Sequence, residues 1–184
     1  MVDRSTRQAA IWATAVSLPL AVLVLLFLFG QFRPGPTEPA PSAAPAPAVT
    51  TPVEMAAPAL SARAATVCRA LLSKLPASVA DRAQRPVTAG VEQNAAYGDP
   101  PITVACGGTP ASYPLTDEVW SALQVCWHLS ADPASGAAIW ETVDREVPIR
   151  VTIPSAYDPQ VATAFAAPIV ASVKRLADPP SGCA

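Results

Sequence analysis

The chain has 184 residues, of which 14% are charged, and its 12 Lys and Arg against 14 Asp and Glu give a formal net charge of −2. This balance lacks the basic excess that binding to a phosphate backbone requires, so we expect no nucleic-acid partner. One histidine and the absence of any CxxC spacing argue against a zinc site or a thioredoxin-like exchange site.

A long apolar segment comes first along the chain. Residues 9–32 carry no charge, and about 20 apolar residues suffice to cross a bilayer. The sequence therefore predicts a transmembrane anchor over 9–32 behind a short cytoplasmic tail, residues 1–8. Because Arg4 and Arg7 precede the anchor, we expect a single-pass protein of the cell membrane with its C-terminal domain outside the cytoplasm. A cleaved signal peptide is the alternative, although its apolar core is usually shorter, about 7–15 residues.

Small residues recur at every fourth position of the predicted anchor. In a membrane such a stripe permits close approach of two helices, but an alanine-rich sequence also produces one by chance. A weak homodimer is therefore one of two interpretations of Ala9, Ala13, Ser17 and Ala21.

Proline and alanine dominate the next segment, residues 33–59. Such a composition cannot bury a core and favours extended polyproline II structure, so we predict a disordered linker. Residues 60–184 then have the length of one domain. The sequence predicts a disulfide-bonded extracytoplasmic domain over this range.

All four cysteines lie in the predicted domain. An even number of cysteines in an exported domain indicates disulfides, and four cysteines allow three pairings. Cys106 and Cys126 lie at the ends of two predicted strands, which favours a bridge between them. Cys68 with Cys183 would then tie the C-terminal tail to the first helix.

The predicted elements of the domain follow the order αββββα. Ser61 is the N-cap of a helix that continues to about Leu75, because apolar residues recur at helical spacing. Asp158 followed by Pro159 begins the second helix. We expect an α+β fold in which the two helices cover one face of a four-stranded antiparallel sheet. Runs of β-branched and aromatic residues predict its strands at residues 102–106, 123–129, 138–143 and 147–153.

Two motifs resemble a known family. Tyr97-Gly98-Asp99-Pro100 leads into the strand at 102–106, and a second motif runs from Thr142 through Asp144-Arg145-Glu146 to Pro154. In these motifs the chain resembles a domain-of-unknown-function family of exported, membrane-anchored actinobacterial proteins with a Cys-rich α+β ectodomain. The resemblance covers about residues 60–184 and departs from the expected pattern at Tyr97, where we expect tryptophan. It implies fold and location, and it supplies no activity or cofactor.

The densest charged cluster lies in the turn of the predicted hairpin, at Asp144, Arg145 and Glu146. In one interpretation Arg145 binds an anionic ligand or a partner carboxylate, and the flanking acids orient it. In the other, three charges form a solvated turn. Together with Arg150 on the outward face of the next strand, these residues are the candidate partner-binding residues.

The sequence predicts no catalytic, cofactor-binding or metal-binding residue. His128 has no nucleophile motif beside it, and the tryptophans Trp120, Trp127 and Trp140 fit a core better than a sugar-binding platform. We expect a non-catalytic interaction or structural module of the cell envelope whose partner is an envelope protein or cell-wall polymer. An extracytoplasmic hydrolase with a dispersed site is the alternative.

Overall fold

The computed structural model describes residues 22–28, 50–114 and 116–183. It divides the chain into two units, Met1–Ala44 and Pro45–Ala184. In the first unit, residues 22–28 form a helix whose side chains are exposed. The second unit contains the sheet, the other helices and both disulfides.

The described helices do not support a membrane anchor. Within residues 22–28, 50–114 and 116–183, no helix is both long enough and apolar enough to cross a bilayer. The predicted single-pass membrane location, with an extracytoplasmic domain, is therefore contradicted by this part of the chain. The rest of the predicted anchor, the tail at residues 1–8 and the stripe of small residues from Ala9 to Ala21 lie outside the described residues.

In its described residues, the second unit contains an eight-stranded antiparallel sheet. In space the strands follow the order β1-β2-β3-β4-β8-β7-β6-β5, so two four-stranded meanders meet where β4 pairs with β8. The strands are β1 Ser78–Val79, β2 Arg82–Arg85, β3 Asn94–Tyr97, β4 Ile102–Cys106, β5 Val119–Ala122, β6 Val125–Ala131, β7 Ala138–Thr142 and β8 Ile149–Ile153.

The predicted four-stranded sheet is wrong, because β1, β2, β3 and β5 were not foreseen. These strands are short, and β2 and β3 read RAQR and NAAY without a β-branched residue. Their pairing with neighbours, and not intrinsic propensity, places them in the sheet. The strand predicted at 102–106 is confirmed as β4, and the predicted hairpin is confirmed as the antiparallel pair β7 and β8.

The strand predicted at 123–129 includes a turn. Leu123 and Gln124 have φ values of 49° and 65° and connect β5 to β6. Two-residue hairpin turns of this kind usually carry Asn-Gly or Asp-Gly, whose backbones adopt positive φ with little strain. Leu-Gln is not such a pair, so the sequence pattern predicts neither the turn nor β5.

Three short helices accompany the sheet in the described part of the second unit. Helix α1, Ala62–Leu72, has Ser61 as its N-cap, as predicted. The predicted second helix is divided into a 3-10 helix, Pro159–Phe165, and α2, Ala166–Ser172. Pro168 lies in the first turn of α2, where the missing N–H has no intrahelical acceptor and costs no hydrogen bond. The sequence therefore predicted the Asp158 cap correctly and missed the change of helix type after it.

One hydrophobic core lies between the helices and one face of the sheet. Val104, Val151 and Trp140 are in register across β4, β8 and β7 on this inner face. Leu71 of α1, Phe165 directly before α2 and Ile169 within α2 are fully buried in the same core. Burial alternates along β4 and β8, which is the pattern of strands with one covered face.

Two disulfides are present as predicted, but their pairing differs from the predicted one. They are Cys68–Cys106 and Cys126–Cys183. Strands β8 and β7 separate β4 from β6, which places Cys106 and Cys126 about 14 Å apart at three strand spacings. The registers also place these two cysteines on opposite faces of the sheet, so they cannot form a bridge.

Part of the segment assigned to the linker by its composition contacts the sheet. Val53 exchanges backbone hydrogen bonds with residues 86 and 88, and the Asn94 side chain donates to the carbonyl of Ala56 at 2.9 Å. The Arg85 guanidinium donates to the carbonyl of Thr51 at 2.7 Å. Residues 51–56 therefore lie against the meander formed by β1–β4.

Candidate functional site

The charged connection between β7 and β8 is buried. Asp144 is 1% exposed and Arg145 8%, so these residues do not form the solvated turn that was one of the two interpretations. The Asp144 carboxylate lies between two guanidinium groups. Its Oδ1 is 3.3 Å from Nε of Arg145, and its Oδ2 is 3.3 Å from Nε of Arg175. Oδ1 also accepts the backbone N–H of Cys126 at 3.1 Å.

Backbone pairing brings Arg175 to this connection. Arg145 and Arg175 form an isolated antiparallel bridge. On either side of it, Leu176 N donates to the carbonyl of Asp144 and Glu146 N donates to the carbonyl of Lys174, both at 2.9 Å. The segment after α2 therefore runs beside the β7–β8 connection, which aligns the second guanidinium with the buried carboxylate.

A cleft of about 470 Å³ opens over this cluster. We call it the arginine cleft. Its size is within the range of small-ligand sites, about 300–1,000 Å³. The cleft is lined by three apolar side chains, a serine, a glutamine, the Cys126–Cys183 disulfide and the charged cluster: Leu123, Val125, Val170, Ser121, Gln124, Cys126, Cys183, Asp144, Arg145 and Arg175.

The two arginines differ in exposure and in their partners. The Arg145 side chain is 4% exposed and donates to the carbonyls of Val173 and Gln124. The Arg175 side chain is 48% exposed and donates to the carbonyl of Cys183. A guanidinium has five N–H donors, so these contacts leave donors on both side chains. Among the described residues the Nε–H of Arg145 has no hydrogen-bond partner, since its ion pair with Asp144 lacks the required geometry.

Positive charges outnumber negative ones among the described residues of this site. Burial lowers the pKa of Arg145, the Asp144 carboxylate raises it, and the positive charge of Arg175 lowers it again. Arginine nevertheless stays protonated in proteins. Two guanidinium groups therefore share the one carboxylate in ion-pair contact with them within the described part of the chain. A net positive charge in a partly buried position is costly unless an anion compensates it.

The remaining candidate residues lie elsewhere. Both carboxylate oxygens of Glu146 contact Arg63 of α1, at 2.7 and 3.3 Å, and this hydrogen bonding is the main cause that lowers the pKa of Glu146. Arg150 lies on the outer sheet face with its side chain 54% exposed and its guanidinium 2.7 Å from Glu141. The structure thus brings Asp144 and Arg145 together but places Glu146 and Arg150 outside the arginine cleft.

His128 is in an enclosed position on the outer face of β6. Its Nε2 is 3.1 Å from Oδ2 of Asp117, and the Tyr113 ring stacks on the imidazole with centroids 4.3 Å apart. Within the described residues its buried Nδ1 contacts no hydrogen-bonding group. A nucleophilic triad needs a hydroxyl or thiol on the ring nitrogen that the carboxylate leaves free. The described residues also contain no group of three metal-ligating side chains.

The three tryptophans that the structure describes separate into two environments. Trp127 and Trp140 are buried in the core with their rings edge-to-face, at a centroid distance of 5.6 Å. Trp120 is 41% exposed and contacts Trp140 at 5.1 Å. The three rings therefore do not form one open platform for a sugar.

Comparison with known proteins gives one match. A family model described as "Protein of unknown function (DUF3515)" matches residues 16–177. The chain belongs to this family. The match confirms the resemblance to a domain-of-unknown-function family and extends it upstream of residue 60, and it carries no information on source, membrane attachment or activity. Neither the curated proteins nor the solved structures contain a match.

The sequence of this DUF3515 chain indicates Arg145 as a candidate residue, but it does not indicate Arg175 and Gln124, which line the cleft with it. Arg175 follows the last helix directly after Lys174, where a basic pair usually has no special role. Gln124 occupies a turn that was predicted as strand. Neither position carries a motif, so only the backbone bridge and the hairpin turn show that both residues line the cleft.

Proposed function

We propose that this protein is a non-catalytic binding module that recognises a carboxylate on its partner in the arginine cleft. The observation that carries this proposal is the charge ratio of the buried cluster. Among the residues that the structure describes, Arg145 and Arg175 contribute two positive charges and Asp144 one negative charge, which leaves a surplus of one positive charge beside the cleft.

The chemistry of the cleft favours an organic carboxylate. A guanidinium binds carboxylates and phosphates through paired N–H donors. A carboxylate carries one negative charge and would balance the surplus, whereas a phosphate monoester carries about 1.5–2 negative charges at pH 7. The apolar side chains of Leu123, Val125 and Val170 would contact a hydrocarbon group attached to the carboxylate.

The same residues support binding in preference to catalysis. The group with the shifted pKa in the cleft is an arginine, which cannot act as a general base because it stays protonated. The one histidine is buried and does not line the cleft.

Calorimetric titration of the full chain with N-acetyl-alanyl-leucine and with its C-terminal amide tests the proposal. We expect the acid to bind and the amide to bind at least about tenfold more weakly, because the amide cannot form the paired ionic contact. Arg175→Gln removes one cleft charge at a half-exposed position and should weaken binding of the acid by a similar factor. Arg150→Gln is the matched control outside the cleft and should leave binding unchanged.

Two results would refute the proposal. One is equal affinity for the acid and the amide, which would show that the arginines do not read the carboxylate. The other is loss of binding in Arg150→Gln with no change in Arg175→Gln, which would move the site to the outer sheet face.

A further inference from the structure

A second surface lies at the open edge of the sheet, and it is independent of carboxylate binding. Strand β5 pairs only with β6 and ends the sheet. Among the described residues its backbone makes no hydrogen bond to any other segment. The strand reads VWSA and contains none of the charged or proline residues that usually protect an edge from pairing.

Aromatic and acidic groups lie together at this edge. Trp120 of β5 and Leu129 of β6 are each about two-fifths exposed and share the inner face of the sheet beyond the helices. With Asp117 and Glu118 they line a groove of about 620 Å³. The tail contacts the other face, where Gly182 lies beside Val119, so it does not cover Trp120.

We propose that this edge binds an extended segment of another protein that alternates basic and aliphatic residues. The segment would add a ninth strand beside β5, with backbone hydrogen bonds supplying most of the affinity. A lysine or arginine on its inner face would lie over the exposed Trp120 ring, where a cation–π contact is favourable, and next to the Glu118 carboxylate. Aliphatic side chains, which alternate onto the outer face, would lie beside Val119.

Charge complementarity argues against a second copy of this chain as the occupant. Residues 116–131, which contain β5 and β6, include two acids and neither lysine nor arginine. Two β5 edges paired about a two-fold axis would therefore supply no cation for Glu118 or for the Trp120 ring. The occupant must bring the positive charge.

A labelled peptide in which Lys and Val alternate over eight residues is the probe. Its binding to the full chain is measured by fluorescence anisotropy beside two control peptides. The first has Glu in place of every Lys. The second carries backbone N-methyl groups on alternate residues, which removes the N–H donors along one edge of the peptide, so it cannot form the hydrogen-bond ladder with β5. We expect each control to bind at least about tenfold more weakly than the Lys–Val peptide.

Variants locate the peptide on the protein. Trp120→Ser removes the ring and Glu118→Gln removes only an exposed charge, so the second variant tests the site even if the first destabilises the fold. Each should weaken binding of the Lys–Val peptide about fivefold. Val91→Ser, at an exposed apolar position outside β5, and Arg175→Gln in the arginine cleft should bind like the unmodified chain.

Three outcomes would overturn the proposal. Equal binding of the Glu–Val peptide would remove the charge argument, and equal binding of the N-methylated peptide would remove strand addition. A concentration-dependent dimer that Trp120→Ser abolishes, with no peptide binding, would assign the edge to a second copy of the chain. If Arg175→Gln did not bind the peptide, peptide binding would depend on the arginine cleft, which would contradict the independence of the two surfaces.

Discussion

Each of the two meanders of the sheet contains a buried arginine, and the two arginines have different roles. In the β1–β4 half, the guanidinium of Arg85 donates to the carbonyls of Gly98 and Thr51, both at 2.7 Å, and one acid, Asp99, lies 3.4 Å away. In the β5–β8 half, Arg145 shares one acid with Arg175 beside an open cleft.

The contrast teaches that burial alone does not make an arginine a binding residue. Both side chains are nearly inaccessible, and both have an Nε–H without a hydrogen-bond partner among the described residues. Arg85 does not share the carboxylate of Asp99 with a second described arginine, and its hydrogen bond to Thr51 connects residues 51–56 to the sheet. Only the second region combines surplus charge with a cavity, and these two properties together indicate a ligand.

Removing the shared carboxylate should produce the largest difference between the regions. Asp144→Asn would leave two guanidinium groups near each other without a counter-charge, and we expect a loss of about 3–5 kcal/mol in the free energy of unfolding. Asp99→Asn affects an exposed partner and should cost no more than about 1 kcal/mol. Urea denaturation of both variants measures the two values, and equal losses would erase the distinction between the two arginines.

The disulfides allow a second comparison between the halves. Replacing Cys68 and Cys106 by alanine, or Cys126 and Cys183, should cost about 2–4 kcal/mol in either case, because the closed loops have similar lengths. Only the second pair should also weaken carboxylate binding, since Cys183 lines the cleft and its carbonyl accepts from Arg175. Calorimetric titration of both double variants at a temperature where each is folded decides this. A similar loss of binding in both would contradict the assignment of the site to the β5–β8 half.

The ion pair between Arg63 of α1 and Glu146 of the β7–β8 connection should make a small contribution to the free energy of unfolding, and this contribution should depend on pH. Arg63 lowers the pKa of Glu146 in the folded state, so the pair stabilises the fold above the unfolded pKa of glutamate, about 4.3. This stabilisation is lost as the pH falls through the lower folded pKa. Because Arg63 is two-thirds exposed, we expect only about 0.5 kcal/mol.

Arg63→Gln should therefore lower the stability at pH 7 by that small amount and lower it less near pH 3. Urea denaturation at the two pH values measures the difference, and Arg69→Gln, whose ion pair with Glu92 is exposed on both sides, is the matched control. A larger loss at pH 3 than at pH 7 would contradict the direction of the Glu146 shift.

Local signals account for the parts of the fold that the sequence predicted. The Ser61 and Asp158 caps, strand β4 and the β7–β8 hairpin each depend on residues within one turn or one strand. Strand β3 reads NAAY and is nevertheless fully buried, because its neighbours supply the packing. The edge strand β5 was hidden by the turn at Leu123, where a non-glycine residue adopts positive φ.

The site depended on information that no short segment contains. Arg145 was identified as a candidate because charges cluster around it in sequence. Its pairing with Arg175 comes from a bridge between segments 30 residues apart. The disulfide pairing similarly follows from the strand order, which separates Cys106 from Cys126. These are consequences of tertiary structure, and residue spacing alone does not determine them.

Crystals of the full chain grown with 4-bromobenzoate test whether the arginine cleft binds a carboxylate, because bromine gives an anomalous signal and the carboxylate is the recognised group. We expect a bromine peak in the arginine cleft, with the carboxylate in hydrogen-bond contact with Arg175 and the ring against Val125 and Val170. A cleft without bromine at a concentration that saturates binding in solution, or a carboxylate bound only at Arg150, would contradict it.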